Sequence, residues 1–543
     1  MLAQLLAAAA ALLLAVLYRK LHYARFQQYA HFPQHAPSLL LGHLGVVDAF
    51  IRKEPPRGHA DMAFTAMHEA LGRPAVMLVD LRPVSSCMVI VCSHEVAEQV
   101  SRPTDRWPHT PPKGPEFWES MKPLAGPTSI LAAHGEQWRA LRKRFNPGFA
   151  PQHLMTLLPA ILDKVSLCLG QLDTHARAGE EFSLQHIATN LTFDIIGRVV
   201  LDFGMDAQTA TPTPFMRDFR ALIETYTSDH LDLPWWCTPR TQLRRRQLSR
   251  RIRTTLRAMV RARHADAHGL RGASAGAGGR SILAMSLRDI GTLTPELVDV
   301  TCDQLSTFLF AGHDTTATLM AWAVYELART PRALAAVRAE LDELFGADSS
   351  PEAVRDRLLA PGGDELVHRM AYTSAVLKET LRLWPPGSTT RMTRPGDGWA
   401  VRDPSTGEMH NLDGLLVYQL VPIIQRDPRA FGDTANRFVP ERWLHQEEDG
   451  DKAIPTGAWR AFERGPRNCI GQELATIEAR VLIAMVARRY DFTKVGQGAV
   501  ALDKAGEPEL DGLGQYKVVS DMYQTREITS KPIDGIRMKV ALV

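Results

Sequence analysis

A mainly α-helical chain with small β-sheets, carried behind a single N-terminal transmembrane helix, is the fold this sequence predicts. Three stretches predict it. Residues 1–17, MLAQLLAAAAALLLAVL, are almost unbroken apolar sequence. Residues 294–329 form the longest helical pattern: Thr294-Pro295-Glu296 supplies an N-cap, a proline at the first helical position and an acid in the first turn, and the pattern runs to Arg329 before Pro331 stops it. The β-branched runs of 75–93, AVMLVDLRPVSSCMVIVCS, and of 395–425 read instead as short strands.

The apolar run comes first in the chain. Its length as a helix is about 25 Å at 1.5 Å per residue, near the lower limit for a hydrocarbon core of roughly 30 Å. Tyr18 suits the interface, and Arg19, Lys20 and Arg25 mark the cytosolic side. A cleaved secretory signal carries positive charge ahead of its apolar run; here the charge follows, so a retained anchor is expected. The expected organisation is an anchor at 1–20, a proline-containing hinge at 21–45 and a catalytic body at 46–543. That places a single-pass protein in a membrane with its body in the cytosol.

Composition bounds the body. With 45% hydrophobic and 23% charged residues it is globular, and a net charge of +3 is too small for a nucleic-acid partner. The six cysteines are scattered without a CxxC pair, which excludes a disulfide framework and a cysteine zinc site; Cys87 and Cys92 read as core residues of a strand region. From about residue 136 most segments are helical: GEQWRALRKRF up to Pro147, then FSLQHIATNLTFDIIGRVVL, then TPFMRDFRALIETYT. Residues 240–264 space leucine, isoleucine and methionine helically among arginines. This is a solvated amphipathic helix, or, with Pro234-Trp235-Trp236 before it, a contact for anionic headgroups. Residues 269–280 read as a flexible loop, and the tail alternates like short strands.

Chemistry concentrates around FERGPRNCIG, residues 462–471. A lone cysteine is usually an inert buried hydrophobe. Here Gly465 and Gly471 allow a tight turn and a close approach of backbone to something bulky, and such a turn aims N–H groups at the Cys469 sulfur. Arg467 adds a permanent cation suited to a carboxylate. Together they suit an axial haem thiolate with a propionate nearby. The pattern Phe462-x-x-Gly465-x-Arg467-x-Cys469-x-Gly471 resembles, at every fixed position, the haem-ligand signature of the cytochrome P-450 superfamily.

Further stretches carry the same resemblance in the same order. AGHDTT, 311–316, sits midway along the long helix, where Gly312 costs about 1 kcal/mol relative to alanine. The resemblance implies that this segment lies over the haem and that Asp314 and Thr315 form an acid–alcohol pair delivering protons during oxygen activation. Bonding of Thr315 back to the carbonyl of Ala311 is the structural alternative. In KETLRLWPPGSTTR, Glu379 and Arg382 are three apart on one helical face. The resemblance locks that pair with Arg442 of FVPERW into a clamp for folding and haem retention. In EQWRALRKRF, Trp138 and Arg142 share a face, and an indole N–H with a guanidinium can hold a carboxylate; the resemblance makes it a haem propionate. Arg391 is a further propionate candidate, with Arg394 its rival.

The resemblance implies a haem-thiolate monooxygenase with Cys469 as the axial ligand of haem b. Its electrons would come from NADPH through an FAD/FMN reductase, and its substrate would be a lipophilic small molecule, as in microsomal fungal members that tailor secondary metabolites. A haem-thiolate isomerase or dehydratase, or a fatty-acid or sterol hydroxylase, is the alternative. The substrate site is expected among residues 101–133 with Trp118, Phe308 and Phe310, and 386–392. Arg139, Lys143, Arg144 and Arg464 are expected to form a basic face for an acidic reductase.

Overall fold

The computed structural model describes residues 1–226, 237–267, 279–444, 453–525 and 527–543, with backbone alone for Glu116 and Phe117. The expected headgroup contact at Pro234-Trp235-Trp236 and most of the 269–280 loop lie outside the described residues. The chain forms two compact units. The smaller comprises 1–114, 388–432 and 455–467; the larger comprises 115–387, 433–454 and 468–543.

In the smaller unit, Leu2–Phe26 is one continuous helix, long and apolar enough to cross a membrane. It continues past residue 20 into the stretch read as a hinge. Arg25, expected at the membrane surface, is instead buried: it donates to Asp80 Oδ2 at 2.5 Å and to the carbonyls of Leu39, Leu40 and Arg82. Burial raises the Asp80 carboxyl, but hydrogen bonds from Arg82 and Arg25 outweigh it and hold it at about 2. The expected strands at 75–93 are Val76–Asp80 and Cys87–Val91, paired antiparallel. Leu416–Gln419 joins them in parallel, and Thr389–Met392 closes the sheet antiparallel to it. Cys87 and Cys92 lie in apolar clusters around this sheet, and burial pushes the Cys87 thiol up to about 12. Within 395–425 the strand pattern gives way to a helical turn at Val421–Ile424.

In the larger unit the axis is the helix Pro295–Arg329. Thr294 caps it by accepting from Leu297 N at 3.3 Å. The helix Leu184–Ile196 crosses it at Gly312, where an added Cβ would stand 2.6 Å from Ile196 Cδ1. This close approach gives Gly312 a packing role that offsets its low helix propensity. Beside it His313 stacks on Phe193 at 3.7 Å, its imidazole pushed down to about 4 by burial. The basic segment is the helix Pro239–Ala267, which buries Leu248, Ile252, Leu256, Val260 and His264, one residue per turn. Several of its arginines face the long helix: Arg257 meets Asp299 at 2.7 Å and Arg253 meets Asp303 at 2.6 Å. Arg245 is buried over the Tyr226 ring. The tail supplies Tyr490–Lys494 and Arg537–Leu542, which pair with each other, and Arg537–Leu542 also pairs with Phe182–Ser183.

Candidate active site

Four of the six cysteines are buried: Cys87, Cys92, Cys168 and Cys302. Burial raises all four thiols, which makes them poor metal ligands at neutral pH. Cys237 and Cys469 are exposed. Cys469 stands just ahead of the helix Gln472–Val486, whose N-cap is Gly471. A Cβ on Gly471 would come to 3.9 Å from the Cys469 sulfur, an ordinary van der Waals contact. The helix Gly135–Phe145 is tied to this loop through Arg142, which donates to Asn468 O and Asn468 Oδ1, both at 3.1 Å. Its guanidinium also lies over the buried Trp138 ring, 5.8 Å from the centroid. Trp138 and Arg142 thus share a face, and Arg142 also holds the residue next to the cysteine.

Along the long helix, every residue from 301 to 327 is buried except Ser306, Ala311, Gly312 and Thr315. Ala311, Gly312 and Thr315 are one turn of one face, so the AGHDTT segment is where the helix opens to accessible space. Thr315 Oγ1 donates to Ala311 O at 2.8 Å. Asp314 points elsewhere. It is 2% exposed, accepts a short hydrogen bond from Thr529 and forms an ion pair with Lys531 Nζ at 2.9 Å. Burial alone would raise its carboxyl, yet Lys531, His313 and Thr529 together hold it below the usual carboxylate range. Sequence reasoning missed Lys531 and Thr529, because nothing local links them to a residue more than two hundred positions away.

The flanks of this opening differ from expectation. Phe308 packs edge-on against Phe145 and Phe149 and belongs to the core, not to a substrate wall. The expected loop at 101–133 contains the helix Pro115–Ala125. After it, Thr128 N donates to Asp303 at 2.9 Å and Ile130 N to Gln304 at 2.7 Å, fixing that segment on the long helix.

The Glu379 clamp is fully enclosed. Its carboxylate accepts from Arg382 Nε at 2.9 Å and Nη2 at 2.8 Å, Arg442 Nε at 3.1 Å, Val439 N at 2.9 Å and Trp443 Nε1 at 2.9 Å. Arg382 also donates to the carbonyls of Ala435 and Arg437, which draws segment 435–443 onto the helix Ala371–Leu383. Trp443 and Val439 were not anticipated as partners.

In the smaller unit, Arg391 and Arg394 separate clearly. Arg394 is exposed. Arg391 is wholly buried on its strand. Its Nη1 donates to Thr389 Oγ1 and Thr390 O at 2.8 Å, while Nε and Nη2 make no hydrogen bond. Glu463 Oε2 lies 3.8 Å from Nη2. Burial opposes the charge on this guanidinium and Glu463 partly restores it. Two buried donors awaiting an acceptor are what a carboxylate ligand requires. Arg467 is half-buried at the end of the short turn Gly465–Arg467. Gly465 has φ +70, and an added Cβ there would stand 2.3 Å from Ser101 O. Of the expected docking cations, Arg139 and Lys143 are exposed. Arg144 is not a surface charge: it turns inward to Ser286 O at 3.0 Å and Thr301 Oγ1 at 2.7 Å. Arg464 is spent on Glu98 at 2.6 Å.

In the larger unit, an exposed thiol just ahead of a helix and a long helix that opens at Ala311, Gly312 and Thr315 point to a class: haem-thiolate enzymes. The comparisons specify it. The cytochrome P450 family model matches residues 54–505, and the chain belongs to that family. It is 30% identical over 521 residues to the cytochrome P450 monooxygenase acrF of Aspergillus aculeatus, covering 90% of this chain and 98% of that one. It is 29% identical to the monooxygenase polC of Polytolypa hystricis, covering 90% and 86%. A solved structure, the haem domain of cytochrome P450DA, superposes with a TM-score of 0.69 at 19% identity, over 94% of this chain and 98% of that chain, and shows the same fold. The protein is a monooxygenase of the cytochrome P450 family, using haem iron with thiolate ligation and electrons of the kind that flavoprotein reductases supply.

Proposed function

We propose that Cys469 would hold the haem iron through its thiolate, and that the enzyme is a membrane-anchored monooxygenase placing one oxygen atom from O2 into a lipophilic substrate in secondary metabolism. In this reading Leu2–Phe26 is a single-pass anchor in the endoplasmic reticulum, and NADPH–cytochrome reductase is the electron donor. The observation that carries it is the contrast among cysteines: Cys469 alone combines exposure with the glycine-bounded family signature. The haem, when bound, supplies the redox centre at which O2 is activated. The chain's own residues do the rest. Cys469, as a thiolate, would hold the metal through sulfur. Arg391, whose Nε and Nη2 make no hydrogen bond, would receive a propionate, and Trp138, Arg142 and Arg467 would complete the cofactor-binding set. Thr315 lies on the accessible face of the long helix; its hydroxyl, bonded back to Ala311 O in the structure, would pass protons on leaving that bond, with Asp314 as the acid. Glu379, Arg382 and Arg442 keep the fold around the cysteine loop.

Cys469→Ala in the full-length chain tests the assignment. The reduced, CO-bound absorption band of thiolate-ligated haem should vanish, and substrate oxidation with it; a wild-type band in this variant would place the ligand elsewhere.

A further inference from the structure

Glu463 sits in the smaller unit at φ +59, a left-handed conformation that glycine takes freely and glutamate does not. Its side chain, 14% exposed, is committed on one side only. Oε1 accepts from Ser101 Oγ at 2.9 Å, from Arg460 Nη2 at 3.0 Å and from the Arg464 N–H at 3.2 Å. Oε2 accepts no hydrogen bond among the described residues, and it lies 3.8 Å from Arg391 Nη2. That nitrogen is one of the two on Arg391 that make none. Arg391 is fixed at its other end by Thr389 Oγ1 and Thr390 O, and Thr389 Oγ1 also receives Lys113 Nζ at 3.1 Å. Acid and fork therefore face each other without closing. Burial alone would raise the Glu463 carboxyl, but Arg391 and Arg460 outweigh it and hold it below the usual carboxylate range. It carries its charge at neutral pH.

We infer that Glu463 is a positioning residue for the cofactor: it shares the Arg391 guanidinium with the propionate and, as a second negative charge on that cation, lowers the reduction potential of the bound haem. The inference rests on the placement of a propionate at Arg391 given above.

With Nη1 spent on Thr389 and Thr390, Arg391 keeps Nε and Nη2, the edge that takes a carboxylate in two parallel bonds. Glu463 Oε2, at 3.8 Å, is near enough to offset the guanidinium's charge and too far to occupy that edge. The three bonds on Oε1 keep the acid from swinging away, so its charge is a fixed part of the site. One electron from the reductase turns ferric haem ferrous, with no bond made or broken, and adds negative charge near these groups. Arg391 favours that charge and Glu463 opposes it, and in a water-poor interior both act with much less screening than in bulk water. A neutral residue at 463 would leave Arg391 uncompensated. The propionate would be held more tightly and the haem would be easier to reduce.

The test uses the full-length holoenzyme, with thiolate ligation checked by the CO-bound band. Spectroelectrochemical titration without substrate gives the reduction potential, and transfer to excess apomyoglobin gives the rate of haem loss. Glu463→Gln should shift the reduction equilibrium toward ferrous haem by about tenfold, which is about 59 mV for one electron. It should also slow haem loss several-fold. Glu463→Asp and Glu463→Asn repeat the comparison of charged with neutral in residues that accept φ +59, and so cover a Glu463→Gln variant that does not fold. Glu463→Asn should be shifted from Glu463→Asp in the same direction. Arg391→Lys keeps a charge but loses the fork, and it should speed haem loss. Equal potentials in charged and neutral members of both pairs would overturn the inference; beside fast haem loss in Arg391→Lys, they would leave the propionate placement standing. Wild-type haem loss in Arg391→Lys would overturn that placement itself. A potential moved equally by Glu463→Asp and Glu463→Asn would trace the effect to shape rather than charge, and overturn the inference as well.

Discussion

Glu379 and Asp314 are both carboxylates sealed inside the larger unit, and both face cations, but they are held in opposite ways. Glu379 receives five donors, two from Arg382 and one each from Arg442, Val439 and Trp443, with Arg382 as enclosed as the acid itself. Arg442 is held further by Thr434, to whose carbonyl and hydroxyl oxygens its Nη2 donates at 3.1 and 2.9 Å. Asp314 depends on one ammonium and one hydroxyl, both from the tail, and the ammonium is shared with Glu527. Planar guanidinium forks with several fixed bonds make a rigid joint; a single ammonium on a four-carbon stem makes a looser one. The difference is one of redundancy: Glu379 keeps several donors when one partner is removed, whereas Asp314 loses its one ammonium.

The comparison can be broken at three points. The largest effect is expected from Glu379→Ala, which strands two guanidiniums in the interior. Breaking a buried pair in this way costs about 3–5 kcal/mol. Haem content and thermal unfolding should both report the loss, and a fully haem-loaded variant of wild-type thermal stability would refute the joint. Trp443→Phe removes one donor from the same carboxylate and leaves the others in place. About 1 kcal/mol is expected for one hydrogen bond to a charged acceptor already well served. Chemical unfolding should resolve it as a small shift of midpoint without loss of haem.

The smallest effect concerns acid. The Asp314 carboxyl lies below its ordinary range in the folded protein, so its contribution to stability is complete above the unfolded value of about 3.9 and is lost as pH falls through the folded value. The stability gap between wild type and Asp314→Asn should therefore be widest at neutral pH and narrow in that acid range. A gap that stays constant with pH down to unfolding would mean the carboxylate carries no net charge stabilisation in the fold.

Several site residues were legible because their geometry is local. Glu379 and Arg382 share a helical face by spacing alone, and the same holds for Trp138 and Arg142. Others were legible only as pairs of possibilities. Arg391 and Arg394 are three residues apart in sequence, and it is the sheet that buries the first and leaves the second outside. Arg144 looked like a surface cation beside Lys143, but one step around the helix turned it toward Ser286 and Thr301. Phe308, one turn before Gly312, looked like a cavity wall and is instead locked between two aromatic rings.

By itself, the sequence determined the apolar N-terminal helix, the start of the long helix at Thr294, the turn at Gly465 and the order of motifs that identifies the family. Each depends on residues within a few positions of one another, where backbone periodicity, capping and glycine's conformational freedom leave few alternatives. Only the tertiary structure decided that Arg25 docks the first helix onto Asp80, that Arg391 holds unused donors, and that Asp314 is met by Thr529 and Lys531. Those contacts join segments far apart in the chain through long, rotatable side chains. Their partners are set by how the elements pack, and local sequence carries no record of that choice.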